Sequence, residues 1–374
     1  MQDQIPQSPL AQTCHRILAY LADCQDTTPG EYFGSFWSEK GYHGPLLDYH
    51  AGGSHHHRTA GSAALALWQA GVSQDRADWR RAAELGFDWL AARQSSRGGY
   101  PEIQNNEVPA DWEGTGREEL SAIAMGFVAH GLGHALLAGL PPKKSYLDCL
   151  DRAGHWQLSL EWPAASGVFP HHERSPYNTL NAASHAAETM ALAYTALDQV
   201  FGRRINIFQE GARRAIENVL ACQWESGCFP YRDYGHITIN YTSLVVWCLL
   251  NCLDALRVIP PRLDRTRIEQ ACQRASDFLR TCIAADGQLL WEGNETSTAK
   301  RNIWTYAITA NVLARLGGEA NEASAARLVD YLLANRAPDG LLPMRDYGET
   351  ITECAFMQAD MYLFLQPLTG LGTA

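Results

Sequence analysis

The chain has 374 residues, 46% of them apolar, with 30 Lys and Arg against 41 Asp and Glu for a formal net charge of −11. That supplies an ample core and argues against nucleic acid or an anionic membrane as the main partner, because either needs a basic face. No run of about 18 apolar residues occurs, and the opening "MQDQIPQSPLAQTCHRILAYLADCQ" lacks the basic, apolar, small order of a signal peptide, so the expectation is a cytoplasmic protein with no membrane span. The ten cysteines include no CxxC pair; most sit in apolar helical text, as Cys248 and Cys252 do, where a small buried thiol is the ordinary reading.

A polar phrase is written twice, "PYRDYG" at 230–235 and "PMRDYG" at 343–348, each just after a glycine. Aligned on that glycine, the same frame recurs at Gly98, Gly167, Gly227, Gly287 and Gly340, in steps of 69, 60, 60 and 53 residues. A less regular first copy is read at "HGPLLDYHAG", where Gly44 and Pro45 lead into Asp48 and Tyr49. Before each glycine lies an amphipathic helix such as "ARRAIENVLACQ", with apolar positions three and four apart; after it come a polar loop and a more apolar helix such as "ITINYTSLVVWCLLNCL". Glycine takes the left-handed conformation that ends the first helix. The expectation is all-α: a single (α/α)6 toroid over residues 1–374, with helix-hairpin repeats at about 10–71, 77–139, 145–202, 210–258, 265–317 and 322–366, the apolar helices forming an inner ring. An open solenoid is the alternative, but six units suit closure.

Candidate functional residues follow in chain order. The first unit packs His43, Asp48, His50, His55, His56, His57 and Arg58 into 16 residues. The second adds Trp112, Glu113, Arg117 and Glu118. In the third, His171, His172, Glu173 and Tyr177 precede a helix on which Asn181, His185 and Glu188 share one face at i, i+4 and i+7. The fourth carries Arg232, Asp233, His236, Asn240 and Tyr241; the fifth Trp291, Glu292, Arg301, Trp304 and Tyr306; the sixth Asp346, Glu353 and Asp360. Acids stand three residues after the loop proline at Asp48, Glu173, Asp233 and Asp346, where helix capping is the competing use. We assign catalysis to Asp48, His185, Asp233, Tyr241 and Asp346. Substrate binding is assigned to His50, His55, Arg58, Trp112, Glu113, Arg117, His172, Glu173, Asn181, Glu188, Arg232, His236, Trp291, Glu292, Arg301 and Trp304. No cofactor is called for. A divalent metal is the alternative use of the His-rich loop, although three adjacent imidazoles cannot all face one ion and no HExxH spacing supports one.

The frame of helix, "Q…G-x-F-P" and apolar helix resembles the repeats of the terpenoid cyclase and protein prenyltransferase toroids, and is similar to the (α/α)6 glycan-active enzymes, among them uronate-cleaving lyases and glucuronyl epimerases. The resemblance spans nearly the whole chain and implies a fold. It carries over no catalytic residue, since the Asp-x-Asp-Asp string of the class II cyclases is absent and the zinc contexts of the prenyltransferases find no match. Trp and Tyr beside carboxylates and Arg is the composition of a sugar cleft. The first expectation is therefore a lyase, hydrolase or epimerase acting by acid–base chemistry on a small-molecule or oligosaccharide substrate, a sugar or a uronate-containing glycan. An isoprenoid cyclase without the Asp-x-Asp-Asp motif is the alternative, and a non-catalytic binding toroid the second alternative.

Overall fold

The computed structural model describes residues 8–38, 55–101, 119–232, 235–256, 263–290, 302–344, 352 and 354–370, the side chain of His236 excepted. In chain order the helices are α1 (Pro9–Asp23), α2 (His57–Ser73), α3 (Ala77–Arg93), α4 (Ala122–Leu137), α5 (Lys144–Leu160), α6 (Leu180–Phe201), α7 (Asn206–Ala221), α8 (Ile239–Ala255), α9 (Arg265–Thr281), α10 (Ile303–Leu316), α11 (Glu319–Ala334) and α12 (Ala355–Leu365). Two short antiparallel pairs accompany them: β1 (Tyr100–Pro101) with β2 (Leu120–Ser121), and β3 (Pro230–Arg232) with β4 (Gly235–Ile237).

The burial patterns sort the helices into two layers. The odd-numbered ones hide one stripe each, as α9 does with Ile268, Ala271, Cys272, Ala275 and Leu279, and they form the outer layer. The even-numbered ones are buried all round; in α6 every residue from Leu180 to Ala193 is buried. Each inner helix packs on the next, α2 on α4 and so on to α12, which packs back on α2, so the ring closes. This is the predicted (α/α)6 toroid. Small residues allow the close approach within it: a Cβ on Gly131 would lie 2.3 Å from the carbonyl oxygen of Gly61.

Every unit runs from outer helix through a long connection to inner helix, then by a short turn to the next outer helix. The inner helices therefore point their N-termini to one end, which we call the loop end, and their C-termini to the other, the turn end. The glycines of the repeat act at the loop end. Gly227 has φ +91°, and a Cβ there would stand 2.2 Å from the carbonyl oxygen of Arg274 on the next outer helix; Gly98, Gly167 and Gly287 meet Arg152, Arg214 and Arg327 in the same way. In the first unit this role belongs to Gly34, at φ +90° and 2.7 Å from the Leu85 carbonyl oxygen. Gly44, the glycine aligned there from sequence, lies outside the described residues.

The glutamine of the repeat phrase is a clamp. Nε2 of Gln25, Gln94 and Gln223 donates both to the carbonyl of its own loop glycine and to one on the next outer helix, Ala82, Cys149 and Ala271 in turn. Several of the long connections also reach back to the preceding inner helix. The His171 carbonyl accepts from the Ala122 N–H at 2.9 Å, that of Met344 from Ile303 at 3.1 Å, and Arg232 pairs with Thr179. The Ala122 and Ile303 N–H groups belong to first turns, which a helix cannot satisfy itself. The twice-written phrase thus has a structural use, since its residues Arg232 and Met344 anchor loop to helix across units.

Among the described residues no helix is long and apolar enough to cross a membrane.

Candidate functional site

At the loop end one polar group centres on Asp360 of α12, which is fully buried. Its oxygens accept from Arg58 Nη2 at 2.6 Å, Ser62 Oγ at 2.7 Å and Trp304 Nε1 at 3.0 Å. The Arg58 guanidinium lies 3.8 Å from the centre of the Phe127 ring and 4.2 Å from that of Phe356. Such sandwiching adds cation–π attraction to a charge-assisted pair and fixes the guanidinium in one place. Two residues marked from sequence, Arg58 and Trp304, are thereby joined through Asp360.

A second group gathers between the third and fourth units. His171 and His172 stack at 4.1 Å, and His171 Nδ1 lies 3.3 Å from the Tyr231 hydroxyl. Tyr231 packs on Tyr241 at 4.5 Å, while the Arg232 guanidinium covers the Tyr177 ring at 4.0 Å. The Thr238 side chain accepts from the Tyr241 N–H at 3.2 Å, capping α8 and setting Tyr241 on its first turn. Beside this group Glu119 is buried ahead of β2, with Arg174 Nε 3.4 Å away. Burial pushes its carboxyl above the usual range, with Glu173 adding to that effect and Arg174 and Arg97 opposing it. Glu173 itself faces outward, held by Arg97 and, at 3.0 Å, by Trp156 Nε1.

His185 lies deeper, fully buried, with its ring 4.8 Å from Phe127 and its Nδ1 3.7 Å from Cys248 Sγ and 3.9 Å from Glu188. A Cβ on Gly126 would fall 2.5 Å from the imidazole, so the glycine makes the space. Asn181, one turn earlier on α6, is buried as well. Glu188, another turn along, accepts from His130 at 2.6 Å and Asn251 at 2.8 Å. The i, i+4, i+7 stripe thus descends from the loop end into the inner ring.

The described part of the His-rich segment sends its three imidazoles three ways. His55 sits 3.2 Å from Asp26 and stacks on Tyr32 at 4.3 Å, His56 meets Phe356 edge-on, and His57 stacks on Trp89 at 5.1 Å. Burial lowers the pKa of His55 against the pull of Asp26, and takes that of His57 down to about 3. Asp48, His50, Trp112, Glu113, Arg117, Asp233, Trp291, Glu292, Arg301 and Asp346, with the His236 side chain, lie outside the described residues. Glu119 and Tyr231 were missed in the sequence. Tyr231 stands inside the repeated phrase, opposite Met344 in the other copy, an asymmetry that could have marked it; Glu119 adjoins Glu118, and nothing in the text separates the two.

No family model matches the chain, and no curated protein matches it. Solved structures do. It is similar to a D-mannose isomerase at TM-score 0.70 and 15% identity, over 98% of this chain and 100% of that one. A sugar epimerase from a ruminal bacterium gives TM-score 0.71 at 13% identity, over 96% and 99%. A type II terpene cyclase from Scytonema gives 0.61 at 11%, over 97% and 98%. The likeness runs end to end and establishes the toroid fold, which hosts unlike reactions.

Proposed function

We propose that the chain is an enzyme acting on a sugar at the loop end by acid–base chemistry, as an epimerase or isomerase that moves a proton on a carbon beside a carbonyl. The observation that carries this reading is the His171–Tyr231 pair, an imidazole and a phenol in contact, with Tyr241 packed on Tyr231 and Arg232 covering the Tyr177 ring. An imidazole titrates near neutrality and can take a proton from carbon, while a phenol can protonate or steady the oxygen on which charge develops. Tyrosine faces and Arg58 would orient the ring and its hydroxyls. Glu119, its carboxyl raised by burial, stands as a second proton carrier. The isomerase and epimerase likenesses support this reading through fold alone.

Hydrolysis needs two carboxyl groups facing one bond. Among the described residues Asp360 and Glu173 are tied up by other donors, which favours proton transfer.

The test is incubation in D2O with D-mannose, D-fructose, glucose and cellobiose, followed by NMR at C2. Deuterium uptake with conversion is the expected result. Tyr231→Phe and His171→Gln should each lower the rate by about 10²–10⁴ with melting temperature unchanged. Full activity in both variants would remove the pair from the chemistry, and no exchange with any sugar would remove the reaction class.

A further inference from the structure

We propose that the turn end of the inner ring binds a divalent transition-metal ion, zinc in type, through His130, His134 and Glu188. His130 and His134 are i and i+4 on α4, so their side chains leave the same face one turn apart, with ring centres 4.5 Å from each other. Glu188 of α6 faces them, and one ligand atom from each of the three lies within 4.8 Å of the others. Two imidazoles and a carboxylate with one position open is a donor set that zinc takes up readily.

Two further observations point to a ligand. The fully buried Glu188 turns Oε1 to His130 and Asn251 and Oε2 toward His185, while His134 Nε2 is shut from solvent with no hydrogen bond. A buried polar atom without a partner is costly, and a cation held between His130, His134 and Glu188 Oε1 would satisfy it. The second is access: a cavity of about 410 Å3, lined by His130, His134, Trp247, Asn251, Arg315 and Tyr362 among others, gives an ion a way in and leaves room for a fourth ligand. Arg315 does not repel it unopposed, because Asp254 and Asn251 each accept from its guanidinium at 2.7 Å. The inner helices also bring their C-termini, the negative ends of their dipoles, to this side. A second set on Glu188, with His185 and Cys248, is sealed on every side, and burial there holds the Cys248 thiol protonated by raising its pKa.

The site does not depend on the sugar reading, and its test reads metal rather than activity. The full chain, stripped with chelator, is titrated with Zn2+ by calorimetry and with Co2+ by visible absorption. One ion per chain, with the d–d bands of a four- or five-coordinate Co2+, is expected. His134→Ala deletes a side chain that makes no hydrogen bond, so its melting temperature without metal should match the parent, while its Zn2+ affinity falls by at least about 100-fold. Zn2+ should raise the melting temperature of the parent and leave that of His134→Ala in place. Glu188→Gln, which keeps the shape of the carboxylate, serves as second variant and should lose Co2+ binding in the same way. The proposal is overturned if the parent takes up no stoichiometric ion, or if His134→Ala or Glu188→Gln binds as tightly as the parent.

Discussion

The two ends of the inner ring are built from different materials. At the loop end the polar groups, Asp360 apart, come from long connections and helix first turns, and they are locked pairwise: Arg58 with Asp360, His171 with Tyr231, Arg232 over Tyr177. At the turn end they come from the bodies of the inner helices, His130 and His134 from α4, Asn251 from α8 and Arg315 from α10, around a cavity. The dipoles sharpen the contrast, because helix N-termini favour developing negative charge and C-termini favour cations. One scaffold can therefore offer an anion-stabilising face for chemistry and a cation-friendly face for an ion, with the stripe of Asn181, His185 and Glu188 running between them.

Charge deletion at the two ends should break this comparison most visibly. Arg58→Met leaves the fully buried Asp360 without its cation, and removing one partner of a buried pair costs about 3–5 kcal/mol. Arg315→Met leaves Asp254, which is 70% exposed, and the Asn251 amide oxygen, which lines the cavity and can take water in place of the guanidinium, so its loss should be about 1 kcal/mol. Urea denaturation of both variants decides the matter. Equal losses would mean that the two arginines do the same structural job.

Glycine substitution separates the ends by a smaller margin. Gly227 at the loop end and Gly139 at the turn end share a left-handed backbone, φ +91° and +89°, but a Cβ on Gly227 would strike the Arg274 carbonyl oxygen at 2.2 Å, whereas nothing lies within 4 Å at Gly139. Gly139→Ala should cost about 1–2 kcal/mol for the backbone alone. Gly227→Ala should cost about 1–3 kcal/mol more as packing is forced apart. Thermal melts of the two variants measure the difference.

The architecture was legible because it is periodic. Amphipathic spacing marked the outer helices, apolar text the inner ones, and the glycine frame their joints. The exception is instructive: the joint of the first unit is Gly34, ten residues before Gly44, because the carbonyl it must approach, that of Leu85, belongs to a helix far along the chain. The stripe on α6 was legible as a face, but its depth was not, since depth depends on Gly126 and Cys248 from neighbouring helices. His130 and His134 were overlooked in "VAHGLGHALL" because their meaning comes from Glu188, which arrives 58 residues after His130 in the sequence and 2.6 Å away in space. Most rim acids named from the sequence lie outside the described residues, so their roles stand as proposals.

The gentlest test follows from His57, at the first turn of α2, which stacks on Trp89 and meets Tyr100 at 4.7 Å. Burial lowers its pKa from 6.5 to about 3, so the folded chain keeps the ring neutral where the unfolded chain already binds a proton. Between those two values the unfolded state holds more protons, and stability must fall as the pH drops from about 6.5 toward 3, by about 1.4 kcal/mol for each unit. His57→Phe keeps an aromatic ring against Trp89 and removes the titration. Unfolding free energies at pH 7, 6 and 5 should therefore fall less steeply for the variant than for the parent, by up to that slope; parallel profiles would show that His57 is charged in the fold after all, and that this end of the ring is wetter than its packing implies.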